Sequence, residues 1–240
     1  MGIHAQAAPI IAEAVKAILG RKGTAAERQY TQAIAFLETA YGRGWKGAMV
    51  GSNNWGAVQC AAGQSPCIAY QDSFPDGTPY SISFRAYESP EKGAEDVARH
   101  VLKLRPQTAR ALEERNPTTF RASYAMRREK YYGGFCPQAT SRFGGAVANA
   151  SFATPDRDAG TKACAEECIS AHAKRVAQIV HDIAADTGEP AALSLGNYAD
   201  ADSWWHGGGS RSWAPLAGLV VAGLCVGGLA AGLRFYGDRA

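Results

Sequence analysis

Between Gly42 and Pro79 this chain cannot continue as a helix, because Gly, Ser, Asn and Pro recur too densely for a helical stripe to survive. On both sides of the interruption, apolar residues return at helical spacing. The frame is therefore helices, a small β excursion, then helices again, an α+β arrangement. Residues 3–19 read as a helix ending at Gly20. Thr24 to Tyr41 reads as a second, with Thr24 as N-cap and Glu27 at the spacing of a capping box. Inside the interruption, Pro75-Asp76-Gly77 is a turn signal between Ile68-Ala69-Tyr70 and Tyr80-Ser81-Ile82-Ser83-Phe84, which predicts a β-hairpin. Helical pattern resumes from Pro90 to Leu104, with Ser89 ahead of it and Glu91, Glu95 and Asp96 where negative charge suits the helix dipole. Further helices are predicted at 106–115, 117–128 and 161–186.

Of the 240 residues, 46% are apolar and 20% charged, enough apolar material for a core and unlike a disordered chain. The net charge of +3 suits an anionic polymer partner. No Lys/Arg block with interleaved aromatics is present, which argues against nucleic acid. The first residues lack the basic region of a signal peptide. From Thr187 to Ser212 the composition reads as a flexible linker. Pro215 to Leu233 then carries no charge, with Arg211, Trp213, Arg234 and Tyr236 flanking it. This predicts a transmembrane helix over 213–236, a short tail at 237–240, and a lipid bilayer as partner; a buried core helix is the plainer alternative. Gly223-x-x-x-Gly227 and Gly228-x-x-x-Gly232 permit helix-mediated self-association.

Glu38 falls in the last turn of the second helix among apolar or small neighbours. Partial desolvation and the negative helix end both disfavour its ionisation, and a neutral carboxyl is what protonates a glycosidic leaving oxygen. Taken alone, it reads more simply as a solvated helix glutamate. Cys60 and Cys67 bracket a short excursion that a disulfide would pin, and Cys136 has Cys164 or Cys168 as partner. A zinc reading of Cys136, Cys164, Cys168 and His172 is weaker, because the last three spread about 12 Å along a helix axis. No metal and no cofactor is predicted. His172 and His181 read as surface residues of the last helix.

The stretch Ala35-Phe36-Leu37-Glu38-Thr39-Ala40-Tyr41-Gly42, followed by Gly51-Ser52-Asn53-Asn54-Trp55-Gly56-Ala57-Val58-Gln59, resembles the lysozyme-like superfamily. In that superfamily a catalytic Glu ends a helix and a Ser/Asn–Gly–Gln segment follows. Ser52 to Gly56 is similar to wall glucosaminidases of the flagellar-muramidase kind, and Gly56-Ala57-Val58-Gln59 to lytic transglycosylases. Phe84-Arg85-Ala86-Tyr87-Glu88-Ser89-Pro90-Glu91 with Asp96 is similar to the strand-to-helix segment of the glucosaminidases, and Tyr131-Tyr132-Gly133-Gly134 to a late tyrosine element. The resemblance covers residues 28 to 104 and is thin beyond.

It implies a mainly helical lysozyme-like domain over 1–186 with a β-hairpin lobe, cutting the peptidoglycan backbone with Glu38 as acid. Asp72, on the hairpin, is implied as base or electrostatic partner, with Asp76 reading as a turn residue. Without Asp72, a one-acid mechanism remains, in which the substrate's 6-hydroxyl closes an anhydro ring. Ser52, Asn54 and Gln59 are implied as polar substrate contacts, and Trp55, Tyr70, Tyr131 and Tyr132 as sugar-stacking aromatics. With the expected anchor, the setting would be a virion membrane or the bacterial envelope. The alternative is a non-catalytic, membrane-anchored glycan-binding or structural protein on the same fold. A metal-dependent peptidase is disfavoured, since His4, His100, His172, His181 and His206 form no ligand motif.

Overall fold

The computed structural model describes residues 2–61, 63–73, 79–129, 131 and 158–209. The first two helices are α1 (Ile3–Leu19) and α2 (Ala25–Thr39). Gly20 stops α1 in a left-handed conformation, its N–H reaching Lys16 O. Thr24 and Glu27 then form a reciprocal capping box on α2. Glu27 is fully buried and also takes two hydrogen bonds from the Arg21 guanidinium. That pairing and the cap hold its carboxyl below the usual range against the opposing effect of burial.

Strands β1 (Cys67–Ser73) and β2 (Pro79–Arg85) pair antiparallel, Cys67 opposite Arg85 and Tyr70 opposite Ile82. Helix α3 (Pro90–Ala98) starts with a Ser89 cap and Pro90 in its first turn, and continues as a π-helical turn over Arg99–Lys103. Next come α4 (Pro106–Glu113), α5 (Thr119–Arg128), α6 (Ala159–Thr187) and α7 (Tyr198–Trp204). The Glu129 carboxylate takes the N–H groups of Gln107 and Thr108, and so caps α4 from the end of α5. Asp186 does the same for α1 from the end of α6, accepting from His4 N at 2.9 Å.

The main core gathers Ile11 and Val15 of α1, Tyr30 and Ile34 of α2, Val97 of α3, Leu112 of α4, Met126 of α5, and Val176, Val180 and Ile183 of α6. A separate small core lies under the hairpin: Met49, Ala57 and Phe84, with Trp45, Ile68, Tyr70 and Ile82 packed on it.

Two expectations are corrected. Among the described residues no helix is long and apolar enough to cross a membrane. The longest, α6, carries Lys162, Glu166, Glu167, Lys174, Arg175 and Asp182 along its length. The expected fold with a transmembrane helix, the membrane-anchored localisation and the bilayer as partner are set aside on this finding; residues 213–236, with the Gly-x-x-x-Gly pairs and the tail, lie outside the described residues. The stretch from Thr187, read as flexible linker, is built into the domain as far as Gly209. Gln29 holds Pro190 O and Ala192 N, at 2.9 and 2.8 Å, and Thr118 pairs with Ser194. Ala201 is buried against Phe120, Tyr124, Ile169 and Ala173, while Arg121 clasps Asp200 through two hydrogen bonds.

Candidate active site

Helix α2 ends abruptly after Glu38. Ala40, Tyr41 and Gly42 all take positive φ, turning the chain back beneath the helix end. Thr39 fixes this turn: its hydroxyl donates to Trp55 O at 2.8 Å and accepts from Gly42 N at 2.8 Å. Residue 39 therefore ties the end of the helix to the Ser52–Gln59 loop. Glu38 is half-buried, with its Oε1 shielded from solvent.

The loop itself is organised by Asn54, which is fully buried. Its amide nitrogen donates to Val58 O and Arg85 O, each at 2.9 Å, and its amide oxygen accepts from Val58 N at 2.9 Å. Ser52 is buried too; its carbonyl takes Tyr87 N at 2.7 Å, and Asn53 donates to Tyr87 O at 3.0 Å. Trp55 is buried against Tyr41, ring centres 5.3 Å apart. Ser52, Asn54 and Trp55 thus shape the loop from inside. Gln59 is exposed at the loop's far end, bridged to Phe84. The Cys60–Cys67 disulfide closes the excursion just beyond it.

Two glycines let helix and loop touch. A Cβ on Gly93 of α3 would lie 1.8 Å from Asn53 O, and one on Gly56 would lie 2.7 Å from Val97. The Gly56 position also stands 3.6 Å from the Tyr131 hydroxyl. Burial, together with the nearby Glu38 charge, pushes the Tyr131 phenol well above its ordinary range, with Arg105 opposing. The Arg105 guanidinium lies 4.6 Å from the Tyr131 ring centre and donates to His100 O at 2.6 Å. Glu38, Gly56 and Tyr131, far apart in sequence, are brought together.

Behind them stands Asp96, named in the sequence as part of the strand-to-helix segment and here a buried carboxylate. It receives Arg85 at 3.3 Å, Arg99 and the Tyr87 hydroxyl. His100 stands 3.8 Å away, but burial, and then the charges of Arg105, Arg99 and Arg85, push it down to about 4. It is therefore neutral at pH 7, and the arginines carry the pairing charge.

Asp72 sits in β1 opposite Tyr80, and Tyr70 is half-buried in the same strand. Asp76 and Tyr132 lie outside the described residues. Trp45, absent from every recognised motif, stacks on Tyr70 and Phe84; its one sequence signal was a lone indole in a Gly-rich turn. Arg105 gave no such signal, because its contact with Tyr131 is made only in the fold. Cys168 is disulfide-bonded and Cys164 is a buried thiol, while Cys136 lies outside the described residues. Among the described residues no group of three or more His, Cys, Asp or Glu is placed to hold a metal ion. His172 is half-buried rather than on the surface, pushed down to about 3 by burial and by Arg127.

No protein-family model matches the chain, and no curated protein matches its sequence. Among solved structures, the catalytic domain of the autolysin Auto from Listeria monocytogenes aligns over 78% of this chain and 85% of that one, at 14% identity and a TM-score of 0.37. A TM-score of that size is too low to establish a shared fold.

Proposed function

We propose that this chain is a glycosidase that cuts the peptidoglycan backbone, with Glu38 as general acid. The observation that carries the reading is a convergence at the end of α2. Four segments that resemble the lysozyme-like superfamily separately in sequence meet there through three contacts: Thr39 bonded to Trp55 O, Gly93 packed on Asn53 O, and Tyr131 against Gly56. An acid fixed beside a stapled loop is held in place before substrate arrives, which is how a positioned proton donor gains its effect. Ser52, Asn54 and Trp55 hold the loop's shape, while Gln59, Tyr70 and Tyr131 are the contacts offered to sugar, together with Tyr132.

Glu38 protonates the glycosidic oxygen as the bond to the anomeric carbon breaks. Asp72 then serves as base or electrostatic partner for water on the opposite face. In the one-acid alternative, Glu38 first gives its proton to the leaving oxygen, and the resulting carboxylate accepts the proton of the substrate's 6-hydroxyl as the anhydro ring closes. Digestion of purified peptidoglycan by the full chain and by Glu38→Gln tests the proposal. Wild type releases glycan fragments, and the variant is slower by about 10²–10⁴-fold, the usual weight of general acid catalysis. Equal release by both would place the acid elsewhere.

A further inference from the structure

Trp45 belongs to no motif used above, yet it stands in an aromatic group packed on the small core of the hairpin lobe. Its ring centre lies 5.8 Å from Tyr70 and 4.9 Å from Phe84, and those two lie 6.0 Å apart. Phe84 is buried and forms the floor, while Trp45 and Tyr70 each keep part of their surface in solvent. The tilted and edge-to-face arrangement is the one ring quadrupoles favour, so the group is preset rather than loose.

The indole is also locked in direction. Its Nε1 donates to Asn54 O at 2.7 Å. The next carbonyl along, that of Trp55, takes the hydroxyl of Thr39, the neighbour of Glu38. Consecutive Cα atoms are about 3.8 Å apart, so Trp45 and Glu38 approach one stretch of loop from two sides. An exposed amide lies on the ring side: Gln59 bridges directly to Phe84, whereas Gln71 and Ser81 alternate to the opposite face of the hairpin. Apolar faces edged by an amide suit a pyranose, whose C–H face packs on aromatics while its hydroxyl and acetamide groups hydrogen-bond.

We propose that Trp45, with Tyr70, forms a sugar-stacking subsite that holds an N-acetylhexosamine ring of the wall glycan next to Glu38. The proposal rests on the reading of this loop as a glycan site, but not on catalysis. Soluble glycan strands prepared from peptidoglycan are titrated into the full-length Glu38→Gln chain, which does not consume them, and tryptophan emission and affinity are followed. The expected result is a saturable emission change that disappears in Glu38→Gln/Trp45→Phe while that variant still binds. Trp45→Ala in the same background binds about tenfold more weakly, the scale of an aromatic anchor's loss. The phenylalanine variant keeps an aromatic ring over Phe84, so its spectrum does not depend on damage to the lobe. An emission change that persists undiminished in Trp45→Phe overturns the proposal, as does the lack of any strand-induced change in the parent. A wild-type chain inactive on peptidoglycan would remove the glycosidase reading, whereas a Trp45-dependent signal would still stand as glycan binding.

Discussion

Asp96 shows how a single side chain steadies the candidate site. Only 3% exposed, it gathers Arg85 from β2, Tyr87 from the following segment and Arg99 from its own helix. Arg85 also receives Asn54 at its carbonyl, so the carboxylate and the loop share one strand residue. Removing one partner of a buried ion pair costs about 3–5 kcal/mol, because the other charge is left uncompensated. Arg85 and Arg99 are 22% and 39% exposed, which lowers the expectation for Asp96→Ala to about 2–3 kcal/mol of stability. Urea denaturation at pH 7 measures it; an unchanged midpoint would mean that Asp96 does not anchor the segment. At this scale the sequence marked Glu38 and Gln59 by type and spacing. The resemblance named Asp96 but not its burial, since burial is decided by which helix face meets β2.

The contact between α3 and the Ser52–Gln59 loop depends on the absence of a side chain at residue 93. A methyl group there would sit 1.8 Å from Asn53 O, a backbone atom that cannot rotate away. Gly93→Ala must therefore push helix and loop apart. It is expected to cost about 1–3 kcal/mol, as overpacking does, despite alanine's better helix propensity. Peptidoglycan digestion should slow with it, because the same loop is tied to Thr39. Thermal melting and the digestion assay, run side by side, check both effects; a stabilised and fully active variant would show that the loop is free to shift. The elements themselves were legible where local chemistry sets them: the Thr24–Glu27 box, the Ser89–Pro90 start and the hairpin turn signal. The loop's shape was not, because Asn54 reaches Arg85 across 31 residues. Helix α7 was missed because Gly, Ser and Asn around it read as linker, while Ala201 and Trp204 find their apolar partners only in the folded domain.

For the whole molecule, two half-buried histidines, His100 and His172, set the direction of the pH dependence. His100 is pushed down to about 4 and His172 to about 3, burial being the main cause for both. In the unfolded chain each titrates near its ordinary value of about 6.5. Below that pH the unfolded state binds protons that the folded state refuses, so stability is full above about 6.5 and falls as the pH drops towards 4. The lowered Glu27 carboxyl acts in the same sense, its contribution fading as acid protonates it. Each histidine accounts for up to about 3 kcal/mol of this loss. Urea midpoints at pH 7.5 and pH 5 should therefore differ, with the lower value at pH 5; equal midpoints would mean that neither imidazole is held neutral by the fold.

The most direct measurement of the central claim is mass spectrometry of what the full chain releases from purified peptidoglycan. Glycan fragments carrying new reducing or 1,6-anhydro ends, absent when Glu38→Gln replaces wild type, are the predicted result. The type of end then names the bond cut and distinguishes hydrolysis from ring closure. Released peptides with intact glycan strands, or no soluble product at all, would contradict the account.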